Sequence, residues 1–190
     1  NSEPDYGVYD FENYRYCDGP ALALSNMYPQ MYSRVFYDEM TKLGKPVVNL
    51  LRCAWAGSQK YGNVVWSGDV PSTFEAFRDQ LQCGLNMGLA GIPWWTTDIG
   101  GFHGGRPASP EFRELLVRWF QWGCYCPVMR LHGDRRPVEK VFRRDGTEVL
   151  SSGSGNEIWS CGEEAELILE KYLRRREELR DYIRRPDRKS

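Results

Sequence analysis

Val64-Val65-Trp66-Ser67-Gly68-Asp69-Val70-Pro71-Ser72-Thr73-Phe74-Glu75 is the stretch on which the reading of this chain turns. It sets one carboxylic acid, Asp69, in a short loop that leads into a helix. Ser72 and Glu75 have the S-x-x-E spacing of a capping box, so a helix is expected from about Thr73. Phe74, Phe77, Leu81, Leu85 and Met87 carry it to about Met87, and Gly88 ends it. Upstream, residues 46–51 (PVVNLL) are short, apolar and β-branched, which predicts a buried strand. Arg52 stands at the end of that run, and residues 52–69 read as loop.

The same unit recurs along the chain. Residues 26–43 read as a helix, with Met27, Met31, Val35, Phe36, Met40 and Leu43 on one face. Gly44 and Pro46 stop it. Residues 90–95 (AGIPWW) read as a second strand, followed by a glycine-rich loop over 96–109 that carries Asp98 and Phe102. Ser109-Pro110-Glu111 has a cap, a proline at the first helical position and an acid in the first turn, and opens a helix to about Trp122. Residues 126–131 (CPVMRL) read as a third strand, with His132 at its end.

The flanks are less regular. Residues 1–25 read as a long loop whose aromatics pack. Residues 134–155 are polar loop, with a local hairpin around Arg144-Asp145-Gly146. Residues 156–185 form a closing helical region. Its long helix, over 163–183, carries an apolar stripe of Ile168, Tyr172, Leu179 and Tyr182 or Ile183. The run KYLRRREELRDYIRR is read as a solvated helix face. All of these are taken as parts of one domain spanning residues 1–190.

Alternating helices and strands imply an α/β fold with a parallel sheet. Arg52, Asp69, Asp98 and His132 all fall at or beyond the carboxyl ends of strands. Active sites are built there in a (β/α)8 barrel, and ligands bind there in an open doubly wound sheet. Neither a G-x-G-x-x-G frame opening into a helix nor a GK[ST] motif is present, which argues against a nucleotide site. Three strands are fewer than a closed barrel takes, so the fold is either an open sheet or part of a barrel.

Composition excludes some partners. Lys+Arg is 25 and Asp+Glu is 26 in 190 residues, so nothing in the charge balance points to nucleic acid or an anionic membrane. No apolar run reaches the length of a membrane span. The aromatic fraction of 14%, with 7 Trp, suits both an aromatic core and sugar-binding platforms. The 6 cysteines, Cys17, Cys53, Cys83, Cys124, Cys126 and Cys161, fit no zinc spacing. They read as reduced and buried thiols, with Cys124 and Cys126 on opposite sides of a strand. This leans toward a cytoplasmic, soluble protein, with the location otherwise open.

The motifs RCAWAGSQKYG, WSGD, GLAGIPWWTTDIGGF, RWFQWGCYCPVMRLHG and NEIWSCGEE stand in one order over roughly residues 1–183. Together they resemble the catalytic barrel of glycoside hydrolase family 31, the retaining α-glucosidases and α-xylosidases. The resemblance implies a partial (β/α)8 TIM barrel, comprising about its last four β/α units. It implies that Asp69, in the W-x-G-D motif, is the general acid/base. It further implies that Arg52, Trp66, Asp98, Phe102 and His132 bind the sugar. The substrate implied is an α-linked oligosaccharide or α-glycoside, with no metal or organic cofactor. The family nucleophile is an aspartate ahead of a Glu-Pro pair. Glu3-Pro4 matches that tail, which places the aspartate one residue before Asn1, in an N-terminal half of the barrel outside this sequence. Asp5 and Asp10 do not match, so the piece alone is expected to be inactive.

Taken singly, each residue also has a plain structural reading. An Asp ahead of a capped helix offsets the helix dipole. Asp98 in a glycine-rich loop caps a turn. Arg52 suits a surface ion pair, His132 a satisfied structural site, and Phe102 the core. His103 reads as a loop residue near the mouth of the site. A non-catalytic carbohydrate-binding remnant of the same fold is the alternative to a retaining glycosidase. A different open α/β hydrolase is a third reading, and no G-x-S-x-G elbow supports it.

Overall fold

The computed structural model describes residues 14–137, 140–149 and 152–184. Residues 1–13, read above as loop and including Glu3-Pro4, lie outside the described residues, as does Arg185. The chain divides into two compact units, residues 1–64 and 65–190.

Among the described residues of the first unit, part of the stretch read above as loop forms a small antiparallel pair. β1 (Arg15–Tyr16) pairs with β2 (Gly19–Pro20), and α1 (Ala21–Leu24) follows. A 3-10 turn at Ser25–Met27 leads into α2 (Tyr28–Lys42), with Pro29 in its first turn and Lys42 in its last. That helix was expected, but its buried face was not. Met27, Met31, Val35 and Phe36 are exposed, while Pro29 and Ser33 are buried. The inward face is held by polar bonds. The Ser33 hydroxyl donates to the Pro29 carbonyl at 2.6 Å and accepts from Asn63 Nδ2 at 3.0 Å. Tyr37 packs edge-on against Tyr61 at 5.7 Å. The sequence periodicity followed the larger apolar side chains and missed a face built on a small hydroxyl.

β3 (Asn49–Leu51) is shorter than the expected strand and is not buried, since Val48 and Leu50 are exposed. The Asn49 N–H donates to the Gly62 carbonyl at 2.8 Å. The stretch read as loop over 52–69 contains a 3-10 turn, Ser58–Tyr61, and then β4 (Asn63–Trp66). Gly62 joins them at φ +67°, and a Cβ there would meet the Val47 carbonyl at 2.5 Å. Asn63, Val64 and Val65 are buried, which is why the short run Val64-Val65-Trp66 forms a strand.

In the second unit β4 pairs in parallel with β5 (Trp95–Thr96), in the register Val65 to Trp95 and Trp66 to Thr96. Only the end of the expected 90–95 strand is extended into the ladder. Between them lies α3 (Phe74–Leu89). Its N-cap is Thr73, whose hydroxyl accepts from the Ala76 N–H at 3.1 Å; Ser72 is not the cap. The helix approaches β5 closely at Gly84. A Cβ there would lie 2.9 Å from Trp95 Nε1 and 3.3 Å from Trp122 Cζ2. Gly84→Ala should therefore destabilise the unit by about 1–3 kcal/mol through overpacking, although Ala is the better helix former. Equilibrium urea unfolding checks this.

α4 (Pro110–Gly123) begins as expected, with the Ser109 hydroxyl capping the Phe112 N–H. It is the core helix. Phe112, Leu115, Leu116, Trp119 and Phe120 are buried with Ile99, Cys161, Ala165 and Leu169. Phe77 of α3 packs against Trp119 in a tilted pair with ring centroids 5.0 Å apart. A 3-10 turn at Ile158–Cys161 leads into α5 (Glu163–Glu178), which packs on α4, and α6 (Arg180–Arg184) follows after a break at Leu179. The long helix is thus two. Its buried residues are Ala165 and Leu169, with Ile168 and Tyr172 beside them, and Tyr182 is exposed.

The expected third strand does not form. Residues 126–131 run near β5 with only two long backbone bonds, Val128 N–H to Trp95 at 3.3 Å and Ile99 N–H to Arg130 at 3.4 Å. Pro127 has no N–H to offer a ladder. The carbonyls of Cys124, Cys126 and Pro127 instead accept from the Arg176 guanidinium at 2.9, 2.6 and 2.8 Å. One arginine of the supposedly solvated run is thus a clamp. Cys124 and Cys126 are both buried, and the expectation of opposite sides fails on geometry, since residues two apart on a strand share a face. Burial pushes both thiols up, Cys126 to about 12. Cys17, Cys53 and Cys83 are exposed, against the expectation of buried thiols. The hairpin at 144–146 is present. Arg143 N–H meets the Thr147 carbonyl at 2.8 Å, and Gly146 turns at φ +83°.

Candidate functional site

β4 ends at Trp66, and Gly68 turns at φ +80° to bring in Asp69, which is half-buried. The Val70 carbonyl then accepts from Phe102 N–H at 2.7 Å and His103 N–H at 3.1 Å. Ser72 N–H donates to the His103 carbonyl at 2.9 Å, and Asp134 N–H to the Phe102 carbonyl at 2.9 Å. Parallel bridges link Pro71 to His103 and His103 to Asp134. The segments following β4, β5 and Leu131 therefore run side by side beyond the strand ends. Gly101 permits it: at φ +78°, a Cβ would meet the Pro71 carbonyl oxygen at 2.7 Å.

β5 delivers Thr97 and Asp98, both fully buried. Asp98 Oδ1 accepts from the Arg130 guanidinium in an ion pair, and Oδ2 has no hydrogen-bond partner among the described residues. Burial pushes the Asp98 carboxyl above the usual carboxylate range. Arg130 and His132 pull it back, and the nearby Asp69 pushes it up again. A carboxyl that is desolvated and faces a second acid holds its proton more tightly. Arg130 also lies over the Trp66 indole, 5.6 Å from the ring centroid. The exposed His132 ring lies 5.2 Å from that of Phe102. His103 meets the edge of Phe102 at 4.8 Å.

The second unit thus brings together Trp66, Asp69, Asp98, Phe102 and His132. Arg52, the remaining expected site residue, follows β3 in the first unit and is exposed. Two arginines were missed. Arg130 could have been found, since it is the first residue of the same R-x-H motif that pointed to His132. Arg135 carries no sequence signal and is described below. Among the described residues no cluster of three or more His, Cys, Asp or Glu is placed to hold a metal ion.

A cleft of about 670 Å³ is lined by Pro71, His103, Arg106, Phe112, Arg136 and Lys140, among others. It includes none of the expected site residues, so converging side chains, rather than that concavity, define the site. The second unit presents an acid, an indole under a guanidinium, a buried carboxylate and an imidazole beside a phenyl ring. That set can donate a proton, stack on an apolar sugar face and hydrogen-bond hydroxyls.

A cluster beyond the carboxyl ends of parallel strands stands where (β/α)8 barrels build their active sites and open α/β sheets bind ligands. Residues 3–185 match the glycosyl hydrolases family 31 TIM-barrel domain, and the chain belongs to that family. It is 60% identical over 137 residues to an uncharacterized family 31 glucosidase, ORF2, of Pseudescherichia vulneris, covering 72% of this chain and 26% of that protein. It is 41% identical over 134 residues to an α-xylosidase of Saccharolobus solfataricus, covering 70% of this chain and 18% of that protein. A solved family 31 α-xylosidase from a soil metagenome, in complex with xylose, superposes with a TM-score of 0.83 at 58% identity, over 95% of this chain and 27% of that one. The chain spans about a quarter or less of the length of these relatives.

Proposed function

We propose that the protein carrying this chain is a retaining α-glycosidase that hydrolyses O-glycosidic bonds of α-linked sugars. The observation that carries this reading is the placement of Asp69 beside the Asp98–Arg130 pair, Trp66 and His132 in a chain of this family. In this reading the β/α units are consecutive parts of a (β/α)8 barrel. Asp69 protonates the leaving oxygen and then deprotonates the attacking water. Retention needs a second carboxyl about 5 Å away as nucleophile. That role goes to the aspartate of the family motif whose Glu-Pro tail matches Glu3-Pro4, so this chain supplies the acid/base half.

Trp66 provides the apolar wall, Phe102 closes the pocket, and His132 donates to a hydroxyl. Asp98 acts in part through Arg130, which it holds over Trp66. Arg52 carries a sugar-binding role from the motif match alone. The named α-xylosidase relatives make an α-xyloside the first substrate to try, and an α-glucoside the second.

The full-length protein should cleave an aryl α-xyloside and release the α-anomer first, as followed by proton NMR. Release of the β-anomer first would exclude double displacement. A protein that binds xylose or glucose yet leaves both aryl glycosides intact would be the binding remnant instead.

A further inference from the structure

Arg135 is 1% exposed, yet no carboxylate touches its guanidinium among the described residues. Its hydrogen bonds all go to neutral acceptors, on three segments of the chain. Nη2 donates to the Ile99 carbonyl at 3.0 Å, and Nη1 to the Gly101 carbonyl at 2.8 Å. Nη1 also reaches the Ser72 hydroxyl at 3.2 Å, and Nε the Asn156 side-chain oxygen at 2.6 Å. The cation lies over the Phe112 ring, 4.8 Å from its centroid. Two glycines leave room for it. A Cβ at Gly100 would come 3.0 Å from Nη2, and one at Gly133 2.5 Å.

Burying a cation with no carboxylate in contact is unfavourable. Burial pulls the Arg135 guanidinium down to about 10, while Asp98 and Asp134 nearby hold it up, so it remains charged at neutral pH. An arginine kept there at that penalty is explained by its geometry. A planar fork reaches several acceptors at fixed angles, which a lysine ammonium cannot reproduce. The acceptors are placed to matter. Ile99 and Gly101 follow Asp98 in its loop, and Ser72 is three residues past Asp69.

We propose that Arg135 is a positioning residue, whose fork locks the Asp98–Phe102 loop to the Ser72 turn and thereby fixes Asp69 against Asp98. The proposal rests on the glycosidase reading for its kinetic consequence, but not for its structural one. Losing the lock would let the acid drift from the glycosidic oxygen, and a displacement of about 1 Å is enough to lower a rate about 100-fold.

The test uses the full-length protein and two variants, Arg135→Lys and Ser72→Ala. Ser72→Ala removes one neutral acceptor and leaves Arg135 bonded to three others, so it keeps the test open should Arg135→Lys fail to fold. The first readout is kcat/KM on an alkyl α-xyloside, whose leaving group needs a proton, against α-xylosyl fluoride, whose leaving group does not. We expect Arg135→Lys to lose about 100-fold on the alkyl glycoside and far less on the fluoride. Ser72→Ala should lose in the same direction and less. The second readout is hydrogen exchange: amides of residues 99–103 should lose protection while those of α4 keep theirs.

Equal losses on both substrates would overturn the proposal. So would a lowered melting temperature with kcat/KM per folded molecule unchanged. If the wild-type protein cleaves neither substrate, the glycosidase reading fails on its own. Exchange then decides the case of Arg135: unchanged protection at 99–103 overturns the lock, and selective loss there supports it.

Discussion

Asp69→Asn in the full-length protein is expected to lower turnover of an unactivated α-glycoside by roughly 100- to 10,000-fold, the usual contribution of a positioned acid/base. That corresponds to about 3 to 5 kcal/mol of barrier. Asn keeps the size of the side chain and one acceptor oxygen but can neither give nor take a proton. The half-buried position, in a loop bonded through Val70 to Phe102 and His103, should hold the amide where the acid stood, so folding should be little affected.

The loss should depend on the leaving group. An aryl glycoside with an acidic phenol needs little protonation, so its first step survives. The second step, attack of water on the glycosyl-enzyme, still lacks a base. kcat and KM should then fall together as the intermediate accumulates. Azide, which needs no deprotonation, should restore turnover and yield the glycosyl azide. An unchanged rate on unactivated substrate would remove Asp69 from the chemistry.

Arg130→Met is expected to produce the largest loss of stability among changes near the site. The Asp98 side chain is 0% exposed and that of Arg130 25%, so the pair is largely shielded from water. Breaking a buried pair on one side leaves an uncompensated charge, and costs about 3–5 kcal/mol. Asp98 already has a raised pKa, and removing Arg130 removes the main force that lowers it. A group with a folded pKa above its unfolded one stabilises most below the unfolded value, and that stabilisation is lost as pH rises through the folded value. The variant should therefore be nearest to wild type in mildly acidic buffer and fall furthest behind at neutral pH. Asp98→Asn in the same background should recover much of the difference, since no buried charge is left. Urea unfolding at the two pH values measures all three proteins. Wild-type stability of Arg130→Met at neutral pH would show that the ion pair does not hold Asp98.

Both variants concern residues with different histories in the sequence. Trp66, Asp69, Asp98, Phe102 and His132 stood out in the sequence through motif matches, and they gather in the second unit even though the segment before His132 forms no strand. The helices were legible from caps: Ser109-Pro110-Glu111 opens α4 as written, and Gly44 follows α2. Strands were read poorly. β4 is four residues inside a stretch taken for loop, and residues 126–131 have the composition of a strand without its ladder. Composition reports what a segment could pair with, whereas a ladder needs donors, and Pro127 has none. Long-range polar ties were invisible. Nothing in the local sequence around Arg135 or Arg176 distinguishes either from its solvated neighbours Arg136 and Arg175, because their acceptors lie on segments far along the chain.

The hold of Arg176 on three carbonyls bears on how such a domain could be shortened. Those carbonyls belong to the segment that continues into Arg130 and His132, so the rim of the site is moored from some fifty residues downstream. A protein engineer who treats the charged end of α5 as trimmable solubility padding would cut the cable along with the padding.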